Sequence, residues 1–486
     1  MTNPIVRIAP SPTGKLHIGT ARTALFNYLF AQKNKGKYLI RIEDTDIKRS
    51  TKKYEKDILD NLEWLGLKAD EKPQRQMDRI DIYRKYAKKL LKEKKAYLCF
   101  CSPSELEKER RKQLAKKQPP RYSGKCRDLN NKEIDLLIKN SKKAALRLKI
   151  PDLRGKIIFN DIIRGKIKEE AAAIGDFIIM KSDNTPLFFF SGVIDDHLQK
   201  ISHVIRGEDH ISNTFNQILL YEALDWQKEM PKFAHLPMIL NSDRSKMSKR
   251  KGGFVSVADF KNKGYLKDAM INFIALLGWH PRKEGKNGSE IYTFDELTSL
   301  FDINEVGKSP AIFDTNKLDY INGYYLRKLS NDKLKKMICP KHLGEGWKYD
   351  DNKLDKAISL VKDRMKTLSD FIELSDYFFE KPIYDKEILV FKKSDSKNTQ
   401  KGLEAVVESL KKIDENDWEN KDKLNTALQK VTENEKLNNG DVFWPVRAAL
   451  SGREASPSPV ELLWVIGKNE SLERLAKALQ ALNPKS

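Results

Sequence analysis

Ile5-Val-Arg-Ile-Ala-Pro10-Ser-Pro-Thr-Gly-Lys15-Leu-His-Ile-Gly-Thr20 is the stretch on which the fold turns. Ile5 to Ala9 is a short apolar run that stops at Pro10-Ser-Pro-Thr-Gly14, so it reads as a strand entering a loop. From Ile18 to Lys33 the residues Ala21, Leu25, Phe26, Leu29 and Phe30 recur at helical spacing. Tyr38 to Ile42 then reads as a second strand, closing at Glu43-Asp44. A β-loop-α-β unit of this kind opens a nucleotide-binding α/β sheet, whose ligands bind outside the carboxyl ends of the strands. The Gly/Pro loop delivers His17 and Gly19 to a helix N-terminus, where free N–H groups and the helix dipole favour an anion.

Outward from this unit, Tyr54 to Leu67 and Ile80 to Lys95 read as amphipathic helices. Between Cys99 and Pro186 the texture changes to short alternating strands, such as Ala144 to Ile150 and Ile157 to Ile163, which reads as an insertion. The apolar run Phe188 to Ile194, then Val204-Ile-Arg206 and the helical stretch Thr214 to Leu224, resumes the α/β sheet. From about Asp259 onward the pattern is helical, most plainly at Asp268 to Leu277, Lys353 to Phe371, Lys401 to Ile413 and Asn469 to Leu482. The expected class is therefore α/β with an all-α C-terminal third.

A chain of 486 residues has room for about three domains and needs no disulfide scaffold. Its 91 Lys plus Arg against 69 Asp plus Glu give a formal charge of +22, which suits a polyanionic partner. Four cysteines, three of them crowded between Cys99 and Cys126, do not make an extracellular framework. A reducing, cytoplasmic location is expected, with no export signal and no apolar stretch near the roughly 20 residues of a spanning helix.

A second segment completes the chemistry. Lys246-Met-Ser-Lys-Arg250 is a basic loop preceded by Asn241-Ser-Asp-Arg and followed by Lys251-Gly-Gly253, and its lysines suit a triphosphate. Alone, each segment is weak, because a His-x-Gly is usually a helix start and a Lys-rich loop is usually solvated. Together they resemble the two signatures of class I aminoacyl-tRNA synthetases. The resemblance narrows through Arg7-Ile-Ala-Pro-Ser-Pro-Thr-Gly14, Arg41-Ile-Glu-Asp-Thr-Asp46, Asp195-Asp-His197 and Val204-Ile-Arg-Gly-Glu-Asp-His210 to glutamyl-tRNA synthetases of the bacterial type. Ser309-Pro-Ala-Ile-Phe-Asp-Thr-Asn-Lys-Leu318 resembles that family's stem-contact region, and Trp444-Pro-Val-Arg-Ala-Ala-Leu450 resembles part of its anticodon-binding domain.

The resemblance implies a Rossmann-like catalytic domain in two halves, 1–97 and 188–240, with an inserted α+β acceptor-binding domain at 98–187. A stem-contact domain with the Lys246 loop at 241–326 and an all-α anticodon-binding region at 327–486 would follow. It implies two steps: ATP activates L-glutamate to glutamyl-adenylate, and the glutamyl group passes to the 3' end of tRNA(Glu). Whether tRNA(Gln) is also a partner stays open, with Arg364 the first residue to examine. A monomer is the family's habit.

Glutamate carries an ammonium and two carboxylates, so its pocket needs one acid and at least two strong cationic donors. Glu43 suits the ammonium, and Arg7 and Arg206 each suit a carboxylate in a two-pronged bond. The family pattern adds Ala9, Ser11 and Phe188 to the glutamate pocket, and assigns ATP to His17, Gly19, Lys246, Ser248 and Lys249, with Mg2+ accompanying it. Thr20 stands where some class I enzymes have a second histidine. The bland alternative is that Arg7 and Glu43 simply pair across adjacent strands. Phe188 falls where many members carry a tyrosine whose hydroxyl reaches glutamate, a bond that is lost unless water or Ser191 fills the gap; alternatively it is core at the sheet's edge.

Cys99, Cys101 and Cys126 with Asp128 or Tyr122 make a donor set for structural Zn2+, which some of these enzymes bind and others lack. Three reduced, buried thiols are the alternative. Competing functions are a truncated paralogue that glutamylates a tRNA base, which lacks the helical C-terminal region, glutaminyl-tRNA synthetase, whose anticodon portion is a β-barrel, and a binding protein on an inactive synthetase scaffold.

Overall fold

Strand β1 (Ile5–Ile8) pairs in parallel with β2 (Lys37–Ile42), the helix α1 (Ile18–Lys33) crossing between them. The computed structural model describes residues 3–118, 120–140, 142–151, 155–245, 256–281, 290–339 and 341–483. They form two units, Met1–Asn262 with Lys267–Ile321 and Lys263–Leu266 with Asn322–Ser486.

In the first unit, α2 (Lys52–Trp64) leads to β3 (Gln74–Arg75), which extends the parallel sheet to the order β1-β2-β3. Thr51 starts α2 by accepting from the Tyr54 N–H, the usual solution for a helix's unpaired first turn. After α3 (Ile80–Lys92), the strands β4 (Ala96–Cys99), β5 (Ala145–Leu148) and β8 (Ile178–Met180) make a small antiparallel sheet in the order β4-β5-β8. Two helices lie along this stretch, α4 (Pro103–Ala115) and α5 (Asn131–Lys139), each opened by a capping box and neither with a buried residue. The sequence led to strands here; α4 carries little apolar periodicity, whereas Ile134, Leu137 and Ile138 do share a face of α5, a helix of only nine residues.

β6 (Lys156–Asp161), β7 (Gly165–Glu170) and, beyond the short α6 (Ala171–Ile174), β9 (His203–Gly207) and β10 (Lys232–Leu236) form one sheet in the order β7-β6-β10-β9. Segment 98–187 therefore shares hydrogen bonds with segment 188–240 and is not a detached module. Ser202, ahead of β9, bonds Ile5 through its backbone N–H at 2.9 Å and its hydroxyl at 3.1 Å, so the β1 sheet abuts the β9 sheet.

Phe188–Leu198 is a helix, α7, where the sequence suggested sheet. It is apolar all round because Phe189, Phe190, Val193 and Ile194 are buried on several sides, and a run of that kind has no period to betray its state. α8 (Ile211–Ala223) packs against it. β11 (Ile239–Leu240), α9 (Val257–Lys263), α10 (Lys267–Ala275), α11 (Phe294–Leu300) and β12 (Ala311–Ile312) follow, β11 pairing with β12.

The second unit is helical among the described residues: α12 (Thr315–Lys328, begun in the first unit), α13 (Asn331–Ile338), α14 (Asp351–Val361), α15 (Asp370–Phe379), α16 (Ser396–Lys411), α17 (Lys421–Asn434), α18 (Asn439–Ser451), α19 (Pro459–Ile466) and α20 (Lys468–Leu482). The single helix read over Lys353 to Phe371 is thus two. The Asp370 carboxylate accepts from the N–H groups of Lys366 and Thr367, both at 2.8 Å, and so fixes the non-helical turn that leads into α15. Arg364 stands exposed in the 3-10 turn Lys362–Arg364 between them rather than within a helix. Among the described residues, no helix is long and apolar enough to cross a membrane.

Candidate active site

A cavity of about 680 Å³ opens at the carboxyl ends of β1 and β9, beside the N-terminus of α1. Arg7, Ala9, Ser11, His17, Gly19, Thr20, Glu43, Phe188 and Arg206 all line it, although they come from distant parts of the chain. Lys246, Ser248 and Lys249 lie outside the described residues.

The loop before α1 is held by backbone bonds: Glu43 N–H donates to Pro10 O and Thr51 N–H to Pro12 O, each at 3.0 Å. His17 is the N-cap of α1, its Nδ1 accepting from the Gly19 N–H at 3.0 Å. With Nδ1 accepting, the neutral ring carries its proton on Nε2, the nitrogen a phosphate oxygen would need. A side chain added at Gly19 would meet only the His17 ring, at 3.4 Å, so the space above that backbone is open.

Behind the cavity is a buried ionic cluster. Arg41 lies 2.7 Å from Asp196, 3.3 Å from Glu43 and 3.8 Å from Asp195, with 1% of its side chain exposed. Arg7 donates to Asp196 through Nε at 2.9 Å and Nη2 at 3.3 Å. Asp195 accepts from Arg79 at 2.9 Å, Gln76 at 3.1 Å and the Tyr83 hydroxyl at 2.7 Å. The simple Arg7–Glu43 pair is thus replaced by two others, Arg7 with Asp196 and Glu43 with Arg41. Burial pushes the Glu43 carboxyl above its ordinary range, against the pull of Arg41 and Arg7. Burial also opposes ionisation of Asp196, but Arg41 and Arg7 hold it below the carboxylate range.

Arg206 has different company. Its Nε meets His235 Nε2 at 3.2 Å, and its Nη2 donates to Thr214 Oγ1 and Gln217 Oε1, both at 2.7 Å. Every one of these partners is neutral. Burial, reinforced by the positive charge of Arg7, lowers its pKa to about 9, so it is still a cation at neutral pH. With Nε and both Nη2 hydrogens engaged, Arg206 offers the cavity Nη1 alone, which corrects the two-pronged edge expected from the sequence.

Phe188 is half-buried at the start of α7, lines the cavity, and touches Phe189 and His210 edge-on with ring centres 5.4 and 6.0 Å apart. It is therefore not sheet-edge core. Ser191 cannot take over a tyrosine's bond: it is fully buried, and its hydroxyl donates to Gln76 Oε1 at 3.2 Å.

Far along the chain from these residues, Cys99, Cys101 and Cys126 bring their sulfurs within 4.8 Å of one another. The Tyr122 hydroxyl lies 3.5 Å from both Cys99 and Cys101, and Cys101 and Cys126 sulfurs are 3.7 Å apart. Asp128 is 83% exposed and pairs with Lys149 at 3.4 Å, so it stands outside the cluster as placed, and the Tyr122 hydroxyl is the oxygen that lies against the sulfurs. Burial raises the Cys99 thiol, but Tyr122, the Cys101 backbone and Arg147 outweigh it and pull the pKa down.

Sequence reasoning assigned no role to Arg41, Asp195, Asp196, Asp161, Thr214, Gln217 or His235. The signal for Asp195 and Asp196 was adjacent acids after an apolar run, for Arg41 a charge inside the apolar strand Tyr38-Leu-Ile-Arg-Ile42, and for His235 a lone histidine inside the apolar strand Phe233-Ala-His-Leu236.

The family described as "tRNA synthetases class I (E and Q), catalytic domain" matches residues 5–320, and an anticodon-binding domain family matches 330–479. A parallel sheet with this cavity at its strand ends and those two matches define a class I aminoacyl-tRNA synthetase. The chain is 44% identical to "Glutamate--tRNA ligase 2" of Thermoanaerobacter pseudethanolicus, over 98% of this chain and 97% of that one. It is 40% identical to glutamate–tRNA ligase of Bacillus subtilis, over 97% and 98%. A solved glutamate tRNA ligase of Elizabethkingia meningosepticum, in complex with its amino acid, superposes with a TM-score of 0.84 at 33% identity, covering 99% of this chain and all of the other. The chain belongs to the glutamyl-tRNA synthetase family of the bacterial type.

Proposed function

We propose that this chain activates L-glutamate with ATP and charges tRNA(Glu) with it. A glutamate α-carboxylate oxygen attacks the α-phosphorus of ATP as the bond to diphosphate breaks. The terminal ribose hydroxyl of tRNA then attacks the acyl carbon, AMP leaves, and the hydroxyl proton passes to solvent. No protein nucleophile is needed, so the chain contributes position and charge. Arg7 and Arg206 bind the substrate carboxylates, Glu43 its ammonium, and Ser11 and Ala9 flank its amino end. His17 donates from Nε2 to phosphate, while Gly19 and Thr20 let the nucleotide approach the start of α1. Lys246, Ser248 and Lys249 meet the diphosphate as its charge builds, and Mg2+ arrives with ATP as part of that substrate.

The observation that carries this reading is Arg206: a buried cation on a cavity wall, with only neutral partners among the described residues, in a cavity that also holds Glu43. A buried charge with no carboxylate in direct contact, favoured only at longer range by Asp196, Glu43 and Asp209, is costly unless a ligand completes its compensation. ATP–diphosphate exchange with glutamate, glutamine and aspartate, each with and without tRNA, tests it. Exchange should be specific to glutamate; preference for glutamine, or no exchange with any of the three, would overturn the reading. Lys249→Ala should lower kcat for exchange by about a hundredfold.

The cysteine cluster fits structural zinc. Thiolates bound to tetrahedral Zn2+ stand about 3.8 Å apart, against 3.7 Å between the Cys101 and Cys126 sulfurs. Cys99, Cys101 and Cys126 with Tyr122 would hold the ion, which would tie together a stretch whose helices have no buried residues. Elemental analysis should give about one zinc per chain in protein purified without chelator. The proposed working form is a monomer, and parallel charging assays on tRNA(Glu) and tRNA(Gln) decide the range of acceptors.

A further inference from the structure

We infer that His235 and Asp161, which do not line the cavity, form a relay that orients Arg206 and so sets the affinity for glutamate. The inference rests on the reading that Arg206 takes a substrate carboxylate. His235 lies in β10 and is 0% exposed, and Asp161 ends β6 at 3% exposed. A guanidinium Nε carries a hydrogen and cannot accept, so the 3.2 Å contact with His235 Nε2 requires Nε2 to accept, and the Thr214 hydroxyl, 3.1 Å from the same nitrogen, is then a second donor to it or to His210 O. The ring proton is then on Nδ1, which donates to Asp161 Oδ2 at 2.7 Å.

Asp161 is fixed in turn. Its Oδ1 accepts from the N–H groups of Ile163 at 3.0 Å and Arg164 at 2.8 Å, and its Oδ2 accepts from the His235 N–H at 3.1 Å. The hydrogen bonds therefore run one way, from Arg206 to His235 to Asp161, and end on a carboxylate held by the turn after β6. With Nε on His235 and Nη2 on Thr214 and Gln217, the plane of the guanidinium is set and Nη1 alone faces the cavity. His235 and Asp161 are thus positioning residues, and they tie the middle strands of the β6-β10-β9 sheet to the substrate's carboxylate.

Asp161→Asn tests the direction of the relay with almost no change of shape. The Asn carbonyl must stay on the Ile163 and Arg164 side to accept their N–H groups, so its NH2 faces His235 Nδ1. That moves the ring proton to Nε2, donor against donor at Arg206. In ATP–diphosphate exchange with tRNA present, KM for glutamate should rise by about tenfold or more, while KM for ATP stays near wild type. His235→Asn keeps a donor for Asp161 but removes the acceptor for Arg206, and should give the same rise. His235→Gln sets an oxygen near the Nε2 position and should recover most of the loss. Equal rises in both KM values, or His235→Gln no better than His235→Asn, would make these residues structural and overturn the relay. Arg206→Ala is the control: if it leaves KM for glutamate unchanged, the carboxylate reading falls and the relay with it. If Arg206→Ala raises that KM and Asp161→Asn does not, the relay alone falls.

Discussion

Arg41 and Arg206 are both buried arginines of the same unit, and the structure spends their charge in opposite ways. Arg41 is surrounded by Asp196, Glu43 and Asp195, and although burial works against its proton, the three carboxylates raise its pKa above the ordinary value. Arg206 is surrounded by His235, Thr214 and Gln217, and its pKa falls to about 9, burial acting first and Arg7 second. A compensated charge holds elements together, here β2 to α7. One with only neutral hydrogen-bond partners, favoured at longer range by Asp196, Glu43 and Asp209, keeps part of its burial cost, which an arriving anion would relieve. Arg41 thus builds the pocket, and on the proposed function Arg206 is the arginine that reads the ligand.

The largest effect should come from breaking the compensated side. Arg41→Met leaves Asp195 and Asp196 buried with fewer counter-charges and should cost about 3–5 kcal/mol of stability, read from urea unfolding; a loss below about 1 kcal/mol would place this cluster among weak surface-like pairs. Arg206→Ala should do the reverse, reducing kcat/KM for glutamate by about a hundredfold or more with little loss of stability, since its partners are neutral and water can replace it at the cavity wall. Similar unfolding curves for the two variants would erase the distinction.

Smaller changes sharpen it. Phe188→Tyr adds a hydroxyl to the cavity wall and should lower KM for glutamate by about tenfold without moving KM for ATP; no change in either would show that the ring only packs. Smallest is a pH effect at Glu43. Its folded pKa lies above the ordinary carboxyl value, so it gains a proton earlier than a free glutamate side chain as pH falls. As pH falls toward the ordinary carboxyl range, KM for glutamate should therefore rise, and Glu43→Gln should flatten that slope. A parallel slope in wild type and variant would assign the titration to another group.

Much of the catalytic unit was legible because its signals are local. The Ile5 to Ile42 unit follows from an apolar run, a Gly/Pro loop and helical spacing, and the observed bounds of α1 match that reading at Ile18 and Lys33. The pocket residues were legible through a family pattern, each tied to a short motif, and the cavity brings the described ones together. α7 was not legible, because Phe188 to Ile194 is apolar without period and only its burial on several sides makes it a helix. α4 was missed for the opposite reason, having no buried face to imprint a pattern, whereas α5 has an apolar face but runs for only nine residues. In the C-terminal unit the break between α14 and α15 depends on where the Asp370 carboxylate points, which composition does not record.

What the sequence by itself determined was the inventory: an α/β nucleotide unit, a helical C-terminal region, an acid and two arginines for an amino acid with an extra carboxylate, and three thiols within a short span. What only the tertiary structure decided was pairing. Asp196 lies 189 residues from Arg7 and Asp161 lies 74 from His235, and no local rule links them. Placement also removed Asp128 from the cysteine cluster and put Tyr122 in its place, though both are near in sequence. The physical reason is that the charge a buried group carries, and what it can bind, depend on its desolvation and on the few groups within hydrogen-bonding distance. Those neighbours are set by how strands and helices pack, not by their order along the chain.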